Sequence, residues 1–192
     1  HKHSIGDRTS GNDSLSFFRR VQRKIKSIHR KERTLIPTRE ETRPTKVPRL
    51  SYLWEYIEHW SSTTPGYVAA RFGETNISCK QLNQITNKLA QAFISFGVRK
   101  GDRIATVLPS CPEFIYTLVA ASKLDAITVP MDVRYRTSDF RRLIPRVEPK
   151  VTVTMDKIRD NEIVETLRTL EPEFGNITYM TVGSVDRSIP DF

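Results

Sequence analysis

Glycine is scarce in this chain of 192 residues: there are eight, and nowhere are they spaced as GxGxxG or GxxxxGK[ST]. In those motifs the missing Cβ lets backbone N–H groups come close to a phosphate, so no recognised phosphate cradle is encoded. Cysteine is scarcer still. Cys79 and Cys111 stand far apart in apolar surroundings, outside any CxxC or other metal-ligand pattern. Both are expected to be buried thiols in a reducing compartment. No run of about 18 apolar residues occurs, so no segment reads as a membrane span. A secretory leader is not recognisable, and the N-x-S/T triplets at Asn12, Asn76 and Asn176 are therefore taken as chance matches. The first residue is His1, which reads as a processed or incomplete chain.

Recognisable catalytic pairings are also lacking. His59 has no Ser or Cys placed with it as a nucleophile and reads as structural. The carboxylates at Glu113, Asp125, Asp132 and Asp139 are scattered, two of them where a helix begins and negative charge is favoured anyway. The residues themselves therefore assign neither a catalytic group nor a metal ligand.

Positive charge is abundant and unevenly placed. Of 31 Lys and Arg, 14 lie within residues 1–50, as do 5 of the 22 Asp and Glu. That quarter carries the whole net charge of +9, and the remainder is neutral. A pI near 9.8 ordinarily points to nucleic acid or an anionic membrane, but here the inference applies to the tail alone. From Asp13 or Ser14 onward, Leu15, Phe18, Val21, Ile25 and Ile28 recur at helical spacing, with Arg19, Arg20, Arg23, Lys24, Lys26 and Arg30 between them. This predicts a basic amphipathic helix over residues 14–30. Three roles are open to it: docking on its own domain or a sister subunit, lying on an anionic membrane, or serving as an organelle-targeting segment. Nucleic acid is not expected, since only Phe17 and Phe18 interleave aromatic rings with the charges. Residues 31–48 carry three prolines and no apolar period and read as an extended linker. The expected division is thus 1–49 as a basic extension and 50–192 as the folded part.

Beyond the linker, Ser51 is placed to cap a helix whose Leu53, Trp54, Ile57 and Trp60 share a face, ended by Pro65-Gly66. Tyr67–Phe72 and Asn76–Cys79 read as two short antiparallel strands about Gly73. A helix follows with Leu82, Ile85, Leu89 and Phe93 on one side and Gly97 placed to close it. Ile104–Leu108 is a continuous apolar run of the kind a strand buried on both faces requires. Ser110 is placed as a cap and Pro112 as the first helical residue. Ala126–Pro130, Val151–Thr154 and Ile177–Val182 read as further strands, with helices from Ser138 and Asp160 between them. Strands alternating with helices at this spacing imply an α/β, doubly wound, mostly parallel sheet with helices on both faces. Its ligand crevice is expected at the strands' carboxyl ends, in the loops Pro109–Pro112, Pro130–Arg136, Met155–Arg159 and Gly183–Arg187.

The segment ISCKQLNQITNKLAQAFISFGVRKGDRIATVLPSCPEFIYTLVAASKLDAITVPMD resembles the opening of AMP-forming acyl-CoA synthetases, within the adenylate-forming superfamily. Gly97, Val98, Lys100, Gly101, Asp102, Arg103, Pro109, Pro112, Glu113, Phe114, Val129 and Pro130 match the family pattern in register. Cys79 replaces the usual Tyr, Ser110 the usual Asn, and Leu124-Asp125 the usual Ala-Gly. The resemblance covers roughly residues 50–192.

It implies the amino-terminal subdomain of an enzyme that adenylates a carboxylic acid with Mg-ATP and passes the acyl group to CoA. The overall look of DFRRLIPRVEPKVTVT suggests a medium- or long-chain fatty acid. The family's phosphate loop, metal-binding Glu, ribose-binding Asp and mobile lysine would all lie downstream of Phe192, leaving ATP, Mg2+ and CoA incompletely bound and this chain inactive alone. By the same resemblance Arg159 lies near an arginine that contacts CoA phosphates in the acetyl-CoA synthetase branch, a contact a guanidinium can make, although a solvated arginine at a helix start is the reading the position itself favours. The implied location is the cytoplasm, with membrane-peripheral or mitochondrial placement left open by the basic segment. The rival reading is a non-catalytic α/β interaction module that docks through that segment.

Overall fold

The computed structural model describes residues 48–156, 158, 160–175 and 177–182. The predicted helix over 14–30, most of the linker, Arg159 and the Gly183–Arg187 loop fall outside the described residues.

Helix α1 (Leu53–Thr63) leads into a hairpin of β1 (Val68–Phe72) and β2 (Thr75–Ser78), paired antiparallel with Phe72 opposite Thr75. Gly73 at its turn has φ +52. Helix α2 (Cys79–Ser95) begins where Ser78 Oγ accepts from the Gln81 N–H at 3.2 Å and Gln81 Oε1 accepts from the Ser78 N–H at 2.8 Å. This reciprocal box satisfies two otherwise unpaired donors. Leu82, Ile85, Leu89 and Phe93 all face inward. The helix closes at Gly97, φ +77, whose N–H donates to the Ile94 carbonyl at 2.8 Å while the Val98 N–H reaches back to Phe93.

The main sheet has four described strands, β3 (Arg103–Val107), β4 (Ile127–Pro130), β5 (Val151–Thr154) and β6 (Tyr179–Thr181). Their spatial order is β4-β3-β5-β6 and every pairing is parallel. Helix α3 (Pro112–Lys123) joins β3 to β4, α4 (Thr137–Val147) joins β4 to β5, and α5 (Ile163–Phe174) joins β5 to β6. The chain steps from β3 to one side and then returns to the other, which reverses the winding. Right-handed crossovers consequently put α3 on one face and α4 and α5 on the opposite face.

The core shows the same two layers. Ile104, Leu108, Val151, Val153 and Met180 pack with Leu82, Phe93, Tyr116 and Ala120. Ala105 and Val107 pack with Phe140, Ile144, Leu167 and Leu170. Adjacent residues of β3 thus serve opposite cores, as the period of two dictates. Helix α1 lies outermost, against α2 and α3.

Three expected helix starts are corrected. Tyr52, not Ser51, is the cap of α1, where Glu55 Oε2 accepts from the Ser51 and Tyr52 N–H groups at 2.8 and 2.9 Å. Cys111, not Ser110, precedes α3 and makes no side-chain capping bond. Helix α5 starts at Ile163 and not at Asp160, because Asn161 pairs its backbone with Ile158 in a local bridge.

Candidate functional site at the carboxyl edge of the sheet

Neighbouring strands β3 and β5 send their chains to opposite faces, which makes the gap between their carboxyl ends the topological switch point. Leu108, Cys111 and Met131 are buried at this edge and Met155 is half-buried. The Met131 N–H donates to the Thr106 carbonyl at 2.8 Å and the Val182 N–H to the Thr154 carbonyl at 2.7 Å, so pairing continues to the rim. Thr154 Oγ1 donates within reach of two carbonyls, Val107 at 3.2 Å and Met155 at 3.0 Å.

The loops after β4 and β5 are tied together by Asn161. Its buried Nδ2 donates to the Val133 carbonyl at 3.0 Å and the Tyr135 carbonyl at 2.7 Å. An exposed ion pair, Arg136 to Asp160 at 2.9 Å, lies alongside. Asn161 escaped the sequence analysis because no pattern marks an amide whose partners are backbone carbonyls some 26 to 28 residues away.

The titratable groups here are committed to structure. Asp132 accepts from the Arg134 backbone N–H at 2.8 Å and from its guanidinium at 2.9 and 2.7 Å. Those bonds hold the Asp132 carboxyl down at about 2, which keeps it from acting as a proton donor near neutrality. Burial, reinforced by the nearby Glu113 charge, pushes the Cys111 thiol up to about 12. It is a poor nucleophile in that state, because the thiolate is the reactive form. Glu113 lies in the first turn of α3, where the helix dipole favours it, and Asp139 does the same in α4, accepting from the Arg136 N–H at 3.0 Å. His59 stands on α1, outside the sheet, edge-on to Trp60 with ring centroids 4.6 Å apart.

The matched residues from Gly97 to Arg103 stand at the opposite, amino edge of the sheet, where they stitch loops together. The Gly101 N–H donates to the Asp125 carbonyl at 2.9 Å, the Ile127 N–H to the Asp102 carbonyl at 2.8 Å, and the Arg99 N–H to Asp102 Oδ2 at 2.7 Å. Lys100 pairs with Asp125 at 3.1 Å. Arg103 bonds the Val147 carbonyl and pairs with Glu148 at 2.9 Å. Asp125 itself has φ +51, a left-handed position that explains why the pattern it resembles carries Gly there.

No group of three or more His, Cys, Asp or Glu side chains converges among the described residues. The described edge likewise has no glycine-lined phosphate cradle. These residues therefore supply no fit for Mg2+ or for the ATP phosphates. What they build is a rigid wall of paired backbone and buried apolar side chains.

A family model described as AMP-binding enzyme matches residues 57–187. A crotonobetaine/carnitine–CoA ligase of Salmonella paratyphi B is 36% identical over 77 residues, which is 40% of this chain and 15% of that protein. Among solved structures, one described as a long-chain-fatty-acid CoA ligase from Rhodopseudomonas palustris superposes with TM-score 0.61 at 20% identity, over 73% of this chain and 34% of the other. A Mycobacterium tuberculosis fatty acyl CoA synthetase superposes with TM-score 0.58 at 19% identity, over 69% and 26%. The chain thus spans well under half the length of the relatives it matches, while the family model covers most of the chain itself. On the agreement of sequence, topology and family match, the chain belongs to the AMP-binding enzyme family.

Proposed function

We propose that these residues are the amino-terminal part of an ATP-dependent, AMP-forming acyl-CoA ligase. The complete enzyme would activate a carboxylic acid as its acyl-AMP and transfer the acyl group to CoA, with medium- and long-chain fatty acids the first class to test. The observation that carries the reading is the family match over residues 57–187, which spans both layers of the sheet. ATP, Mg2+ and CoA belong to the complete enzyme in this reading. The residues described here hold one wall of the site in place, and Arg159 is proposed as a contact for CoA phosphates.

Pyrophosphate–ATP exchange with a panel of fatty and short carboxylic acids tests both parts of the proposal. The 192-residue chain alone is expected to give no exchange. The same chain joined to the sequence encoded after Phe192 is expected to give acid-dependent exchange and CoA thioester. Robust exchange by the chain alone would overturn the claim that it lacks the working parts. A natural stop codon directly after Phe192 would instead favour the interaction module.

A further inference from the structure

Among the described helices, α1 alone has no fully buried residue. Its larger apolar side chains, Trp54, Tyr56, Ile57 and Trp60, are half-buried, and Leu53 is 44% exposed. Helix α2 beneath it is different, with Leu82, Ile85, Leu89 and Phe93 all at most 5% exposed. The side of α2 turned to α1 is polar. Asn83, Asn87 and Gln91 stand four residues apart along it, and Asn83 Nδ2 donates to Ser61 Oγ at 3.4 Å.

The main tie across this seam is Lys123 of α3, whose side chain is only 8% exposed. Its ammonium donates to Glu58 of α1 at 2.8 Å and to Asn83 of α2 at 2.9 Å, and lies 5.7 Å from the centre of the Trp54 ring. One cation thus joins three helices. Beside it a groove of about 470 Å³, lined by Trp54 and Glu58 on one side and by Asn87, Lys88 and Gln91 on the other, separates α1 from the second half of α2. Lifting α1 therefore exposes half-buried rings but opens no closed core, and it returns an ammonium, a carboxylate and an amide to water that solvates them well. Such a step costs less than opening α2.

The two ends of α1 are held unequally. Upstream, the Leu50 N–H and carbonyl both bond the Tyr56 hydroxyl at 3.1 Å, and Glu55 accepts from the Ser51 and Tyr52 N–H groups, so residues 50–52 close on α1 itself. Downstream, the Lys80 N–H donates to the Pro65 carbonyl at 3.3 Å and the Cys79 N–H to the Tyr67 carbonyl at 2.8 Å, which fixes the chain to the start of α2. We propose that residues 50–63 form a strap, latched by Lys123, that swings off α2 and α3 about Thr64 as one unit while the sheet and the other helices stay folded. The inference is independent of the ligase reading, since it concerns the outside of the helical layer and not the carboxyl edge of the sheet.

The test is native-state hydrogen exchange, followed by NMR on the 192-residue chain in urea concentrations below the unfolding transition. The amides of Ile57 to Thr64 are expected to share one level of protection, at least about 100-fold below that of Leu82 to Phe93, with a weaker urea dependence. Lys123→Met keeps the packed stem and removes the ammonium. It is expected to speed exchange in α1 about tenfold and to leave α2 and β3 unchanged. Glu58→Gln, from the strap side, is expected to act in the same direction. Exchange of α1 at the rate and urea slope of α2 would overturn the proposal. So would a graded rise in protection from one end of α1 to the other, which would mean end fraying, or an α1 that both variants leave unchanged. Equal acceleration of α1, α2 and β3 by Lys123→Met would overturn it in favour of a global role for the cation.

Discussion

At the scale of single residues, the buried polar and reactive atoms give the sharpest expectations. Burial pushes the Cys79 thiol up to about 11 and the Cys111 thiol up to about 12. At pH 8 both should stay unmodified by a thiol-specific disulfide reagent in the folded chain, and two thiols per chain should react once denaturant is added. Fast labelling of either in the native state would contradict the geometry. Thr106 Oγ1 is buried with no hydrogen-bond partner among the described residues. Replacing it by the isosteric Val removes an unpaired hydroxyl from an apolar layer, and Thr106→Val should stabilise the fold by about 1 kcal/mol in urea unfolding. Asp132 gives a pH signature with a definite sign. Its carboxyl titrates lower when folded than the ordinary value near 3.8 because of Arg134. Its contribution is therefore complete above about pH 4 and lost as pH falls toward about 2. Asp132→Asn should flatten that acid limb of the stability curve. The effect is small, because the pair is largely exposed.

At the scale of elements, helix α2 is the firmest piece of local grammar and the easiest to test. Ser78→Ala removes one half of its amino-terminal box and should cost about 1 kcal/mol, read as a lower urea midpoint with unchanged slope. This helix was legible from sequence because two independent signals agree on it, the stripe from Leu82 to Phe93 and Gly97, whereas its amino-terminal box was not, since Ser78 reads there as part of the preceding strand. The strands were legible for a different reason. A strand buried on both faces reads as a near-continuous apolar run, and Ile104 to Val107 and Val151 to Thr154 are interrupted only by Thr. The helix starts were not legible where the cap is unusual. Glu55 takes over the role expected of Ser51 by reaching back one turn, and a side chain that bonds backward is indistinguishable in sequence from any first-turn carboxylate. The candidate site was legible only as a location. Its position follows from strand order and winding, whereas its main tie, Asn161, acts through carbonyls of a separate loop. The family pattern misleads in the same way: its conspicuous Gly, Lys, Asp and Arg stand at the amino edge as fasteners, at the far end of the strands from the crevice.

At the scale of the whole molecule, two cores share one sheet and the charge is segregated from both. The sheet's β4 edge carries Ile127 half exposed with no strand beside it among the described residues. Such an edge invites pairing with another chain. Ile127→Lys should leave stability within about 0.5 kcal/mol and reduce light scattering on heating. The central strand has a further consequence, which concerns synthesis. Val107 is held by Thr154 across a sequence separation of 47 residues, and Ile104 stands opposite Val151 in the register. At about 5–20 residues per second on a ribosome, β3 waits roughly 2–9 s for the strand that covers its second edge. Throughout that interval this central, buried strand is paired on one side at most, so the protein's exposure to misassembly is set by translation speed between Val107 and Thr154.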